Sequence, residues 1–206
     1  MMKTNKISQA LLWITLGALF HSMVTADNKG LSLVMEKLSA IQRTTAEFTE
    51  IKTYSLLNEQ IKLSGQLEYV APDTLIKKTI KPEAEYFEVT GDALTIKKLD
   101  GEEHNLLLSN YPLIEIFVEA YRGVLSGNLK KLKQYYGVEF IETSQLGGVN
   151  NEAFWTIKLT PTDEEALEYI DVIIVDGVGG AVNKVTTMES GGDKSVLSID
   201  TLASKK

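Results

Sequence analysis

Cysteine is absent from all 206 residues. That excludes disulfides, thiolate zinc sites and thiol nucleophiles at one stroke. Histidine and tryptophan occur twice each, so imidazole-based catalysis or metal binding has almost nothing to draw on. Positive charge is scarce too: Lys and Arg total 21 against 28 Asp and Glu, a formal charge of −7. Without a basic stripe the chain is a poor partner for nucleic acid, because phosphate affinity comes mostly from clustered Lys and Arg. Proline is limited to 4 residues, with no Pro/Ser linker and no fixed-period repeat to divide the chain. What remains is ordinary globular material, 44% hydrophobic and 24% charged, which excludes wholesale disorder and is enough for one domain with a real core.

The first stretch is an address. Lys3 and Lys6 precede an apolar run from Ala10 to Phe20, and Val24-Thr25-Ala26 closes it before Asp27. This is the order of a cleavable secretory signal. Gln9 and His21 bracket a run about half the ~20 residues a membrane span needs, and no later segment reaches that length. We therefore expect a signal peptide over 1–26, Sec-dependent export, and a soluble single domain over 27–206. Its charge would be two lower, at −9, and His104 its only histidine. An exported chain without cysteine fits a Gram-negative periplasm.

Beyond the signal, Leu31, Val34, Met35, Leu38 and Ile41 recur at helical spacing. The period then drops to two. Ile61, Leu63, Gly65, Leu67 and Tyr69 alternate with polar residues, as do Trp155, Ile157 and Leu159. Further strands are expected at 46–56, 75–80, 85–90, 94–98, 104–109, 138–146, 170–176, 181–190 and 194–202. The punctuation is Gly91-Asp92, Asp100-Gly101, Gly147-Gly148, Asp176-Gly177 and Gly191-Gly192-Asp193. Short strands joined by hairpins form an antiparallel sheet, curled or barrel-like. The facing of 46–56 stays open, because Phe48 and Tyr54 share parity with Glu50 and Lys52. From Pro112 to Ser126 a helix confines its polar residues Glu115, Glu119, Arg122 and Ser126 to one narrow stripe. It belongs either across the concave face of the sheet or packed on one side of it. A basic, solvated helix is expected over 128–136, and a capping box at Thr162–Glu165 with Thr162 as N-cap.

No catalytic constellation survives scrutiny. Asp176-Gly177-Val178-Gly179-Gly180 has Val182 where a dinucleotide loop needs glycine, and the residues after it read as strand. His104 is expected in the acidic turn Asp100-Gly101-Glu102-Glu103 as an exposed turn histidine, with no G-x-S-x-G elbow anywhere. The acids Asp163, Glu164 and Glu165 are explained by a helix start. The expectation is a non-enzyme without cofactor or metal.

Several motifs in order resemble the LolA family of periplasmic lipoprotein carriers. These are Ala46-Glu47-Phe48-Thr49-Glu50, Gly65-Gln66-Leu67-Glu68-Tyr69-Val70-Ala71-Pro72, Gly91-Asp92-Ala93-Leu94, Tyr111-Pro112-Leu113, Leu159-Thr160-Pro161 and Asp193-Lys194-Ser195. The best-known carriers have an Arg before that Pro to tie a lid shut; here the position is Ala71. The match is closer to a LolA-like relative than to the housekeeping carrier. The resemblance implies a mainly β (α+β) fold, an incomplete antiparallel barrel with helices covering an apolar hollow. It implies acyl chains of lipoproteins or lipids as cargo, an inner-membrane donor, an outer-membrane acceptor and a monomeric carrier. Given such a hollow, the expected lining is Leu63, Leu67, Tyr69, Leu75, Phe87, Ile116, Phe117, Tyr121, Trp155, Ile157 and Leu159. The alternative is a non-catalytic envelope adaptor or assembly factor for a glycolipid or acyl-lipid pathway, whose interior is simply packed core.

Overall fold

Helix α1 (Thr25–Ser39) opens the fold and presents Leu31, Val34, Met35 and Leu38 to the core, the face its sequence spacing requires. The computed structural model describes residues 25–147 and 152–201. Most of the expected signal segment, and Gly148 of one expected turn, lie outside them. Six strands follow: β1 (Arg43–Tyr54), β2 (Glu59–Val70), β3 (Thr74–Lys81), β4 (Glu85–Thr90), β5 (Ala93–Lys98) and β6 (Glu103–Leu107). A short 3-10 turn at Leu108–Asn110 leads into α2 (Pro112–Leu125) and α3 (Leu129–Tyr135). The chain ends with β7 (Tyr136–Gly147), β8 (Glu152–Pro161), α4 (Glu164–Leu167), β9 (Ile170–Val178), β10 (Ala181–Glu189) and β11 (Lys194–Thr201). Strand ends differ from the alternation pattern by three residues or fewer.

All eleven strands form one antiparallel sheet in the order β6-β5-β4-β3-β2-β1-β11-β10-β9-β8-β7. Pairing of β1 with β11 brings the first and last strands together at its centre. Strands β6 and β7 are edges that do not pair with each other. The sheet is therefore an incomplete, unclosed antiparallel array with helices packed against it.

Directly paired residues share a face, so the register traces continuous rows. One row reads Phe140, Ile157, Val175, Val185, Leu197, Glu50, Leu63. All but Leu63 are buried. This is the core face, and it settles β1: Phe48 and Glu50 both point inward, at 3% and 6% exposure.

Several local expectations are corrected. Helix α3 is not solvated all round, because Leu132 is fully buried against Gly123 of α2. A Cβ at Gly123 would stand 2.8 Å from Leu132 Cδ1, which explains why two helices can pack this closely there. The N-cap of α4 is Asp163, accepting from Ala166 N at 3.0 Å, while Thr162 Oγ1 donates to Tyr135 O. Asp176-Gly177 lies inside β9, and the hairpin turns at Gly179-Gly180 instead. His104 is on strand β6 rather than in the turn.

Candidate functional site

Helix α2 lies over the core face rather than on an outer side of the sheet. Its Tyr121 hydroxyl is hydrogen-bonded to Thr187 of β10, and the Ile116 carbonyl accepts from buried Tyr136 at 2.7 Å. Its Val118 packs on the separate cluster of Val89, Leu94 and Leu108. The polar stripe of α2 is buried at its centre. Glu119 and Arg122 are 3% and 5% exposed. Arg122 Nε donates to the Asp73 carbonyl at 2.8 Å, and Nη1 donates to Glu119 at 3.3 Å. Lys131 of α3 lies 2.8 Å from Glu119. A guanidinium on the helix thus holds the β2–β3 corner, just beyond Ala71 and Pro72.

The eleven expected lining residues divide by burial. Trp155, Ile157 and Leu159 of β8, together with Ile116 and Tyr69, are buried in packed structure. Trp155 lies against Gly177, where a Cβ would come within 2.2 Å of its ring, and its Nε1 donates to Gly179 O at 2.9 Å. By contrast Leu63, Leu67, Leu75, Phe87, Phe117 and Tyr121 are half-buried. Four of these six, Leu63, Leu67, Leu75 and Phe87, share the core face of β2–β4, while Phe117 and Tyr121 of α2 pack against the main core. Leu67 pairs with Lys77 and Lys77 with Phe87; Tyr69 pairs with Leu75. The core face is thus fully buried at β8, whereas over β2–β4 Leu63, Leu67, Leu75 and Phe87 stay half-buried.

A polar island that the sequence reading missed interrupts this face. Glu50 accepts from Lys77 Nζ and, at 2.7 Å, from Ser195 Oγ. Lys52 Nζ stands 4.0 Å from the same carboxylate. Lys52, Ser195 and Thr187 are consecutive members of one cross-strand row. Burial pushes the Glu50 carboxyl up, but the Lys77 ammonium, the two hydrogen bonds and the Lys52 charge outweigh it and hold the group below its ordinary value. Burial, aided by the Glu50 charge and opposed by the Thr187 hydrogen bond, pushes the Tyr121 hydroxyl up to about 12. The signal in the sequence was the shared parity of Phe48 and Glu50. Two clefts lie elsewhere. One of about 380 Å³ is lined by Pro112, Glu115, Ile116, Gln134, Tyr135, Thr162 and Asp163. A smaller one, about 160 Å³, is lined by Thr45, Gln66, Glu68, Ile76 and Lys78, which have the opposite parity, together with Ala46 and the expected lining residue Leu67.

Residues 24–203 match the family model for outer membrane lipoprotein carrier protein LolA-like. The chain belongs to this LolA-like family. Membership places it with LolA-like carrier proteins, a non-enzymatic family. Among the described residues of this LolA-like chain, no group of three or more His, Asp or Glu is placed to hold a metal, and no helix is long and apolar enough to cross a membrane. A LolA superfamily protein of Nitrosomonas europaea is similar at 11% identity and a TM-score of 0.40, over 84% of this chain and 93% of that one. The Pseudomonas aeruginosa MucA/MucB complex contains a chain similar at 9% identity and a TM-score of 0.44, over 86% of this chain and 59% of that one. No curated protein matches the sequence.

Proposed function

We propose that this LolA-like chain is a periplasmic carrier that shelters acyl chains of lipoproteins or lipids on its concave face. It would act as a monomer, between an inner-membrane donor and an outer-membrane acceptor. The observation that carries the reading is the half-buried apolar set Leu63, Leu67, Leu75, Phe87 and Phe117 beside a core whose Ile157, Leu159 and Ile173 are fully buried. Apolar side chains left partly open beneath a covering helix are places where a hydrocarbon chain gains burial. Each CH₂ withdrawn from water contributes ~0.8 kcal/mol, so a dozen sheltered methylenes are enough for micromolar binding without a specific polar contact.

The test is displacement of a hydrophobic fluorophore, N-phenyl-1-naphthylamine, from the exported protein by myristate. Wild-type protein should bind the fluorophore and release it to the fatty acid. Phe117→Asp, folded by circular dichroism, should bind at least about tenfold more weakly, because it places a charge on the apolar wall. Absence of binding by the wild type would favour the adaptor reading. That reading draws on the unpaired outer edge of β7, twelve residues long, where an extended partner segment could add a strand.

A further inference from the structure

An apolar shelter has no use for a buried carboxylate, yet Glu50 stands in a row whose other six members are all apolar. Stability does not account for it. A buried ion pair is commonly no better than well-packed hydrophobic residues of similar volume, since desolvation of both charges offsets their attraction. What the carboxylate does is hold two ammonium groups. Lys77 donates to Oε2, and Lys52 stands beside Oε1, which Ser195 also engages. Two positive charges share one negative charge, leaving an excess of one positive charge within this cluster, in a chain whose formal charge is −7.

The ammonium groups have donors to spare. Each carries three N–H bonds. Among the described residues Glu50 is the only hydrogen-bond acceptor of Lys77, and Lys52 has no acid nearer than the 4.0 Å contact. Lys77 also lies 5.1 Å from the centroid of the Phe48 ring, which steadies the cation from one side. Both side chains reach solvent, Lys77 at 30% and Lys52 at 42% exposure. Lys77 moreover rises from the sheet between its cross-strand neighbours Leu67 and Phe87. The Lys77 stem therefore starts between half-buried apolar residues and crosses the face to end, with its spare donors, at Glu50 of β1.

We propose that the cargo is an amphiphile with an anionic oxygen head, a carboxylate or a phosphate monoester, received by Lys77 and Lys52 while its chain lies against Leu67, Phe87 and Phe117. Glu50 is a positioning residue: it orients both ammonium groups and limits their net charge to one. This inference rests on the acyl-carrier reading and narrows its cargo.

The experiment compares three ligands of equal chain length, myristate, tetradecyl phosphate and neutral monomyristoylglycerol, each displacing the same fluorophore from the exported protein. Both anions should bind about tenfold more tightly than the neutral lipid, the worth of one charge-assisted hydrogen bond. The preference should shrink with added salt. A larger preference for the phosphate than for the carboxylate assigns the head to phosphate, and the reverse to carboxylate. Lys52→Gln, on a half-exposed side chain, should reduce the preference severalfold, and Glu50→Gln should increase it. Should Lys77→Gln fail to fold, the combination of Lys77→Gln, Lys52→Gln and Glu50→Gln removes all three charges together and should bind the three lipids alike. Equal binding of the three lipids by wild type, or a preference that survives both lysine substitutions, overturns the inference while leaving acyl carriage intact. Displacement by none of them overturns the carrier reading itself.

Discussion

Glu50 shows how one residue escapes a pattern reading. Alternation in β1 assigns Phe48 and Glu50 to the same face, and hydrophobicity alone cannot decide whether the phenyl ring or the carboxylate prevails. The structure buries both, because Lys77 reaches diagonally from β3, a partner remote in sequence. The same logic defeated Asp176-Gly177. It has the composition of a turn, but Gly177 is required inside β9 because the Trp155 ring occupies the space a side chain would need. The pH dependence of stability follows from the Glu50 environment. Its folded-state carboxyl titrates below the ordinary value of 4.5, so its contribution is fully present above that value and is lost as pH falls through the lower folded value. In urea unfolding, the stability gap between wild type and Glu50→Gln should therefore be widest near pH 7 and shrink below pH 4.5. A gap unchanged across that range would contradict the assignment of an ionised, paired Glu50.

Elements were more legible than their contacts. Period-two alternation was clearest in β2 and β8, where core-facing and outward residues take turns. Helix α2 was legible as a helix, from Pro112 and its apolar circumference, but not in its burial of Glu119 and Arg122. Those charges are buried because tertiary partners meet them: the Asp73 carbonyl from the β2–β3 corner and Lys131 from α3. A single helix cannot announce such partners. Leu132 of α3 was missed similarly, since its pocket is created by a glycine on a neighbouring helix. The Arg122 contact makes a checkable claim about α2. Arg122→Met keeps most of the apolar stem but removes the bond to Asp73, so amide hydrogen exchange across 112–125 and 72–75 should accelerate together. Acceleration confined to the helix would mean that Arg122 does not hold the corner.

At the scale of the molecule, the sheet joins its first and last long strands, β1 and β11, and leaves β6 and β7 as open ends. The resulting concave face is asymmetric. Helices α1, α2 and α3 complete the core over β7–β10, whereas β2–β4 retain half-buried Leu63, Leu67, Leu75 and Phe87. Fold class was legible because it depends on periodicity. The division between sealed and open halves was not, because it depends on where the helices come to rest. That division underlies the proposed carriage of acyl chains. The most direct measurement is native mass spectrometry of the protein released gently from its periplasm. We expect a chain beginning at Asp27 with bound acyl species of discrete mass, and loss of those species in folded Phe117→Asp. An empty wild-type protein, whose mass matches the polypeptide alone even after incubation with acyl lipids, would contradict the account.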